Sequence, residues 1–214
     1  MAPAASRPGV LARRMLGVPK NFQGNAEIFG QGEPVDYLYE VVSGAVRSTK
    51  VLSDGRRQIG GFYFAGDIFG LEHGNEHSLG AEAVVPSTIR VIKRRTLVQL
   101  TADDRALAED LLAMAMCQVE RMHRHELMLI MTAQERVNSF LTEMGQRISI
   151  GDVISLPMSR QDIADHVGLT IETVSRIFTD LAGGLTIRLT SARMIVLRDR
   201  PARERGTGRG GLLD

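Results

Sequence analysis

The glycine and proline content of the chain changes sharply near residue 102, and this change limits the folds that the chain can adopt. From about Ala26 to Val98, short apolar or alternating runs are separated by turn signals such as Ser43-Gly44 and Asp54-Gly55. From Asp103 to Met131 the chain contains neither glycine nor proline and is rich in Leu, Ala, Met, Glu and Arg. Since turn residues bound strands and interrupt helices, we predict an antiparallel β unit followed by one helix of about eight turns, an α+β chain.

The apolar residues of this long helix fall on two stripes. The first is spaced close to a heptad and consists of Leu112, Ala115, Val119, Met122 and Leu129; the adjacent stripe consists of Leu107, Leu111, Met114 and Met128. Because one stripe can pack on the chain's own β unit while the other packs on a second subunit, we predict a homodimer through the first stripe. The alternative is one broad stripe that is buried within a single chain.

A helix-turn-helix is predicted from Ser159 to Leu181. Ser159 and Asp162 resemble a capping box that starts a first helix, Gly168 suits the left-handed residue that ends it, and Thr170 can cap a second helix. The inward positions are small or aliphatic: Ile163, Ala164, Val167, Leu169, Val174, Ile177 and Leu181. An ordinary helical hairpin is the alternative. Since residues 185–197 alternate like a two-stranded hairpin, we expect the unit to be winged.

The outward face of the second helix indicates what it reads. Ile171, Glu172, Ser175 and Arg176 lie in its N-terminal half, the part that enters a major groove in this motif. Arginine can donate two hydrogen bonds to guanine, glutamate can accept one from cytosine, and isoleucine can touch a thymine methyl group. A salt bridge between Glu172 and Arg176 on a solvated helix is the alternative.

Contacts to the DNA backbone are expected from residues at the N-termini of the two short helices. These residues are Ser159, Arg160, Thr170 and Thr173.

Composition excludes several classes of protein. Cys117 is the single cysteine, so one chain can form neither a disulfide nor a cysteine-based zinc or iron–sulfur site. No apolar run is long enough for a membrane span, and the N-terminus lacks the apolar core of a signal peptide, so we expect a cytoplasmic protein. We find no catalytic arrangement, expect no enzyme, and predict neither cofactor nor metal; the histidines of EHGNEH (residues 72–77) are expected to lie in a solvated loop.

These patterns divide the chain into segments. We predict a flexible N-terminus (1–20), a β-roll (21–102), a dimerisation helix (103–132), a winged helix-turn-helix (133–200) and a disordered, Gly- and Arg-rich tail (201–214).

The chain resembles the Crp/Fnr superfamily of bacterial transcription regulators from about Ala26 to Arg200. The segment YLYEVVSGAVRSTKVLSDGRRQIGGFYFAGDIFGL is similar to the family's cyclic-nucleotide-binding-like β-roll, and TIETVSR looks like the recognition helix of the Fnr/FixK type. This resemblance implies a dimer that binds double-stranded DNA at an inverted repeat of TTGA half-sites through Glu172, Ser175 and Arg176. It also implies activation through RNA polymerase.

Departures from the family pattern point to the FixK-like branch, whose members regulate low-oxygen respiration. Fnr-type sensors need four cysteines, and this chain has Cys117 alone. Cyclic-nucleotide binders carry a glutamate after the "FG" of the roll and an arginine before an "AxA" strand, whereas Leu71 follows Gly70 here and Leu79-Gly80 precede Ala81. We therefore expect no cyclic nucleotide. A regulator gated by an unidentified small molecule or haem, or a protein-binding assembly module, remain alternatives.

Overall fold

The N-terminal half of the chain forms a β-roll whose strands end where the sequence places glycine, proline and aspartate. The computed structural model describes residues 14, 16–184, 187–191 and 193–197. Its roll consists of β1 (Val18–Phe22), β2 (Glu27–Phe29), β3 (Tyr37–Ser43), β4 (Ala45–Val51), β5 (Arg57–Phe64), β6 (Ile68–Phe69), β7 (Gly80–Ala83) and β8 (Ser87–Lys93). Two antiparallel sheets, ordered β1-β8-β3-β6 and β2-β7-β4-β5, pack around Phe29, Tyr39, Val41, Val46, Phe69, Ala81 and Ile89.

The Asp54-Gly55 pair joins β4 to β5, as the sequence predicts. Gly55 has a φ of 82°, and the Leu52 N–H donates to the Arg56 carbonyl over 2.8 Å. Val51 pairs with Arg57 immediately before and after this turn. The hairpin therefore projects two consecutive arginines, Arg56 and Arg57, at the start of β5.

The roll begins before residue 21, the predicted boundary. β1 begins at Val18 and pairs along its length with β8, so residues 18–20, expected to be flexible, belong to a sheet. The alternation of this strand is weak because most of its side chains are exposed, and pairing with β8 orders it. Residues 1–13 of the predicted flexible segment lie outside the described residues, and so does the predicted disordered tail (201–214).

The predicted eight-turn helix is wrong at its N-terminal end. The structure has α1 (Arg94–Asp103) and a separate α2 (Arg105–Leu129), followed by α3 (Ala133–Ile148). Asp104 leaves the helical conformation with a φ of −118° and a ψ of 91°, and its side chain accepts a hydrogen bond from the Leu107 N–H. An aspartate in this role caps a new helix, so the Gly- and Pro-free run is divided without either residue.

The two stripes of α2 separate as predicted, apart from Ala115 and Leu129. Leu107 and Met128 are buried, and Leu111 and Met114 pack against a cluster that includes roll residues Leu38, Ile68 and Ile92. The opposite face is exposed over Leu112, Met116, Val119, Met122 and Leu127. The alternative of one stripe buried within the chain is therefore wrong.

Two members of the predicted free stripe are half-buried. Ala115 is partly covered, and Leu129 packs against the apolar core that contains the helix-turn-helix. Met116 and Leu127, which are 65% and 58% exposed, take their place on the free face. The heptad assignment drifts because a straight α-helix has 3.6 residues per turn rather than 3.5.

The C-terminal part forms a winged helix-turn-helix, as expected. It contains β9 (Ser149–Ile150), β10 (Val153–Ser155), α4 (Arg160–Val167), α5 (Ile171–Gly183), β11 (Ile187–Leu189) and β12 (Met194–Leu197). The strands form one antiparallel sheet in the order β11-β12-β10-β9. The hairpin of β11 and β12 confirms the predicted wing, while β9 and β10 are additional.

One apolar core extends from the roll into the helix-turn-helix. It joins roll residues from β4, β5 and the segment after β7 to residues of α2 to α5 and β12. The roll supplies Ala45, Ile59, Phe62, Phe64 and Val84, and the C-terminal part supplies Val137, Phe140, Met144, Ile163, Ala164, Val167, Val174, Ile177, Phe178 and Ile195. Because the two parts bury each other's apolar surface, this junction opposes their independent movement.

Two histidines lie at this junction. His166 of α4 is 5% exposed, its Nδ1 lies 3.1 Å from the Ile59 carbonyl oxygen, and its ring centroid lies 4.3 Å from that of His125 in α2. Burial, and then the proximity of His125, lower the pKa of His166 from 6.5 to about 3. Burial also lowers the pKa of His125. Both imidazoles are therefore neutral in the folded protein near neutral pH.

We predict that acid destabilises the protein through His166. Above pH 6.5 the imidazole is neutral in both states, but below it the unfolded chain takes up a proton that the folded chain accepts only near pH 3. The free energy of unfolding should therefore fall as the pH decreases below 6.5, by up to about 1.4 kcal/mol per pH unit for one such group. Urea denaturation from pH 7.5 to 5.5 measures it.

The matched variants are His166→Gln, which removes the buried titrating group, and His123→Gln, which removes an exposed histidine of α2. The His166 variant should show a shallower pH dependence, and the His123 variant should follow the unmodified protein. Equal slopes for all three proteins would contradict the prediction.

Candidate nucleic-acid interface

A complete capping box starts α4. The Asp162 N–H donates to the Ser159 hydroxyl oxygen over 3.1 Å, and Asp162 Oδ2 accepts from the Ser159 N–H over 3.0 Å and from its hydroxyl over 2.8 Å. These reciprocal bonds satisfy N–H groups that the first helical turn leaves without partners. The prediction from the Ser159 and Asp162 spacing is confirmed.

The turn between the two helices depends on Gly168 and on an arginine from α3. Gly168 adopts the left-handed conformation with a φ of 66°, and a β-carbon there would lie 3.3 Å from Arg136 Nη1. Arg136 Nη1 in turn donates to the Val167 and Gly168 carbonyl oxygens over 3.2 and 3.3 Å. The guanidinium thereby satisfies the C-terminal carbonyls of α4 and ties the turn to α3.

The inner face of α5 anchors it in the shared core. Thr170 caps the helix by accepting from the Thr173 N–H over 3.3 Å. Val174, Ile177 and Phe178 are buried, and Leu181 packs against the core from a partly buried position. With the capped first helix and the left-handed glycine between them, α4 and α5 form the predicted helix-turn-helix.

Polar side chains cover the outer face of α5. Glu172, Ser175 and Arg176 are exposed, and the first two turns of the helix carry all three. Glu172 and Arg176, both within the described residues, form no ion pair with each other. Hydrogen bonds from the Glu172 backbone N–H and from Thr170 lower the pKa of the Glu172 carboxyl group, which is therefore ionised at neutral pH. Ile171 is half-buried against the core and is less free for contact.

The proposed phosphate-contacting residues differ in how free they are. Arg160 lies with its guanidinium carbon 3.3 Å from the Phe178 ring centroid, and burial lowers its pKa to about 10, so it keeps its charge at neutral pH. The Ser159 hydroxyl is engaged by Asp162. The Thr170 and Thr173 hydroxyl oxygens lie 3.2 Å apart. Among these four residues Arg160 alone carries a positive charge, and its guanidinium is partly buried against Phe178.

A cavity of about 310 Å³ lies between the roll, α2 and α3. Its charged lining residues include Arg121, Arg147, Glu126 and Glu143. Arg147 is paired with Asp67 and Glu143, and Arg121 Nη1 lies 3.8 Å from Asp67 Oδ1. Since these guanidiniums already face carboxylates, the residues present do not fit the phosphate of a cyclic nucleotide.

Glu72, which also lines this cavity, is engaged within the roll. Glu72 Oε1 lies 2.9 Å from His77 Nδ1, and its Oε2 accepts from the Ser78 N–H over 2.7 Å. His77 is 2% exposed and its ring centroid lies 3.7 Å from that of Phe29. The expectation that His77 lies in a solvated loop is therefore wrong, because ring stacking replaces its contact with water. Nowhere in the described part do three or more His, Cys, Asp or Glu side chains converge as a metal site.

Three residues that shape this interface are invisible to sequence patterns. Arg47 and Arg57 of the roll reach Asp162 of α4, and Arg136 of α3 reaches the turn after α4. Burial alone would raise the pKa of Asp162, but bonds from Ser159 and the charges of Arg47 and Arg57 hold it below its usual value. Arg47 and Asp162 are 115 positions apart, so no local spacing could have indicated the contact.

Known proteins match this chain along most of its length. Residues 19–104 match the family described as "Cyclic nucleotide-binding domain", and residues 156–183 match "Bacterial regulatory proteins, crp family". The chain is 44% identical over 196 residues to the nitrogen fixation regulation protein FixK of Azorhizobium caulinodans, covering 89% of this chain and 79% of the relative. FixK of Rhizobium meliloti is 42% identical over 170 residues, covering 79% and 77%.

The fold also matches a solved structure of a protein whose name, like those of the two relatives, contains FixK. FixK2 from Bradyrhizobium japonicum superimposes with a TM-score of 0.82 at 45% identity, covering 86% of this chain and 94% of that one. No helix in the described ranges is long and apolar enough to cross a membrane.

We predict that Gly168→Ala destabilises the helix-turn-helix. A non-glycine residue in the left-handed conformation costs roughly 1–2 kcal/mol, and the added methyl group would press on Arg136. The midpoint temperature of thermal unfolding and the affinity for DNA should both be lower than in the unmodified protein. Gly183→Ala is the control, since a β-carbon there meets nothing within 4 Å and its φ is ordinary. If both variants behaved alike, the left-handed turn would not carry the effect.

Proposed function

Because the chain belongs to the Crp/Fnr family of bacterial transcription regulators, and to its FixK-like members, we propose that it is a homodimeric activator that reads an inverted repeat. Each half-site is of the TTGA type. The genes it controls are those of low-oxygen respiration, and RNA polymerase is its second macromolecular partner. It acts in the cytoplasm on double-stranded DNA and is not an enzyme.

The observation that carries this proposal is the outer face of α5. Its opposite face is buried in the core, so Glu172, Ser175 and Arg176 are directed away from the protein on the first two turns. Arg176 supplies two donors for guanine N7 and O6, and ionised Glu172 supplies an acceptor for cytosine N4. A TTGA half-site contains one G·C pair that both contacts can serve.

The free stripe of α2 supports the homodimer. Leu112, Met116, Val119, Met122 and Leu127 are between 49% and 65% exposed on one face of a 25-residue helix. A monomeric protein seldom leaves such a continuous apolar face in water, and a second copy covers it with a self-complementary surface. Two recognition helices then meet successive major grooves, about one helical turn apart.

DNA binding in this proposal requires neither a cyclic nucleotide nor an iron–sulfur cluster. The two arginines that line the roll cavity, Arg121 and Arg147, already face carboxylates, and Cys117 is the single cysteine of the chain. A regulator gated by another small molecule or by haem is the second candidate, and the 310 Å³ cavity is the observation that favours it.

Selection from random-sequence duplex DNA tests the function directly. The purified full-length protein, without added ligand, should enrich an inverted repeat of TTGA half-sites. Enrichment only in the presence of a ligand would favour the gated regulator. Calorimetry with cyclic nucleotides and an absorption spectrum for haem then identify which ligand gates the protein. Salt-insensitive or absent DNA binding would overturn the proposal in favour of a protein-binding assembly module.

We predict that Arg176→Ala weakens binding to the selected site by about 1–3 kcal/mol and relaxes selectivity at the G·C pair. The reason is the loss of two hydrogen bonds to guanine. Fluorescence anisotropy at fixed salt, followed by a repeat of the selection, measures both effects. Arg105→Ala removes the same charge from an exposed site that pairs locally with Glu109, and should change neither. Unaltered half-site preference in the Arg176 variant would refute this assignment.

We predict that Val119→Glu converts the dimer to a monomer. Val119 lies in the middle of the free stripe, so a two-fold interface would bury two unpaired carboxylates, a cost of several kcal/mol. Analytical ultracentrifugation should report the monomer, and far-UV circular dichroism should be unchanged. Val98→Glu places the same charge on an exposed valine of α1 and should leave the dimer intact. A dimeric Val119 variant would move the interface elsewhere.

A further inference from the structure

The roll holds the start of α4 through a set of buried ion pairs. Arg47 Nη1 donates to Asp162 Oδ1 over 3.1 Å, and Arg57 Nη2 donates to the same oxygen over 2.7 Å. Arg57 Nε also donates to Asp165 Oδ2 over 2.8 Å. We refer to Arg47, Arg57, Asp162 and Asp165 as the interdomain clamp, because the two arginines belong to the roll and the two aspartates to the helix-turn-helix.

The clamp is shielded from water at its centre. The side chains of Arg47 and Asp162 are 7% and 5% exposed, whereas those of Arg57 and Asp165 are 30% and 12% exposed. Arg47 is itself fixed on the roll side, where its Nε and Nη2 donate to Glu82 over 2.8 and 2.6 Å. Charged hydrogen bonds of this kind are directional and are screened little by salt when buried.

Asp162 links the clamp to the DNA-facing end of α4. Its Oδ2 completes the capping box with Ser159, while its Oδ1 accepts from both arginines of the roll. One carboxylate therefore joins the first turn of α4, which carries Arg160, to the β4–β5 hairpin. The apolar core brings the two parts together, but non-directional packing alone specifies their angle less well than these bonds do.

We propose that Arg47 and Arg57 are positioning residues for DNA binding, which fix the orientation of the helix-turn-helix on the roll without touching DNA. The proposal rests on the DNA-binding function argued above. Two recognition helices must lie about one helical turn apart, so the orientation of each helix-turn-helix on its roll decides whether both half-sites are reached. The apparent Kd rises as the fraction of correctly oriented molecules falls.

The test uses Arg57→Gln in the full-length protein, because the partial exposure of Arg57 lets water solvate what remains of the pair. Arg56→Gln is the matched control: it removes the same charge from the neighbouring residue, which is 77% exposed and pairs only with Asp54 among the described residues. Fluorescence anisotropy with a duplex that carries two TTGA half-sites should show a Kd about tenfold higher for Arg57→Gln and unchanged for Arg56→Gln.

The salt dependence of Kd separates positioning from direct contact. A lost phosphate contact lowers the slope of log K against log salt by about one, whereas a lost positioning contact leaves it unchanged. We expect the unchanged slope. A slope reduced by about one would overturn the proposal, because Arg57 would then contact the DNA backbone.

A double-mutant cycle with Asp165→Asn tests the pair itself. If Arg57 acts through Asp165 and Asp162, Asp165→Asn should raise Kd in the unmodified protein and have a smaller effect when Arg57 is already Gln. Fully independent effects of the two substitutions would contradict the clamp.

A distance measurement tests positioning without any DNA. Spin labels at Val18→Cys of β1 and Asp180→Cys of α5, in a Cys117→Ser background and diluted with unlabelled protein, report the separation of the roll and the helix-turn-helix. We expect one narrow distance distribution that Arg57→Gln broadens and Arg56→Gln does not. An unchanged distribution would overturn the proposal even if the protein bound DNA as expected. Absence of DNA binding with a broadened distribution would instead refute only the proposed function.

Discussion

The apolar core shared by the roll and the helix-turn-helix holds the two parts of the chain together. Phe62 and Ile59 of β5 pack with Phe140 of α3 and Ile163 of α4 in one continuous cluster. Burial of this surface favours contact between the two parts but specifies their orientation only loosely, since apolar contacts have no direction. Polar groups buried at the junction are stabilised by hydrogen-bond partners from the other part of the chain. His166 and Asp162 are both held in this way by roll atoms.

Several charged groups at this junction and around the roll cavity are paired within the chain. Arg147 faces Asp67 and Glu143, Glu72 faces His77, and Asp162 faces Arg47. In a roll that binds a charged effector, some of these groups would be available to the ligand. Here the Arg147–Asp67 and Arg47–Asp162 pairs join the roll to the helices, and the Glu72–His77 pair lies within the roll. Their arrangement is consistent with a helix-turn-helix that is held in place by its own chain.

Local chemistry made much of the fold predictable. Gly55, Gly168 and Thr170 each occupy the turn or cap that their residue types favour. The sequence pattern did not predict the division of the long helix at Asp104, because an aspartate within a helical run is a weaker signal for a helix end than glycine or proline. β1 was missed because its outward face is exposed and only its pairing with β8 orders it.

Local patterns in the sequence specify the order of β-roll, long helix and winged helix-turn-helix. They also place Glu172, Ser175 and Arg176 on an outward face of the second helix, since period and capping act over a few residues. Which side chains are free depends instead on how the whole chain packs. The tertiary structure brought Arg47 and Arg57 to Asp162 across more than 100 positions, and it moved Leu129 from the free stripe of α2 to the shared core. Contacts between distant segments follow from how whole surfaces pack, and no local spacing encodes them.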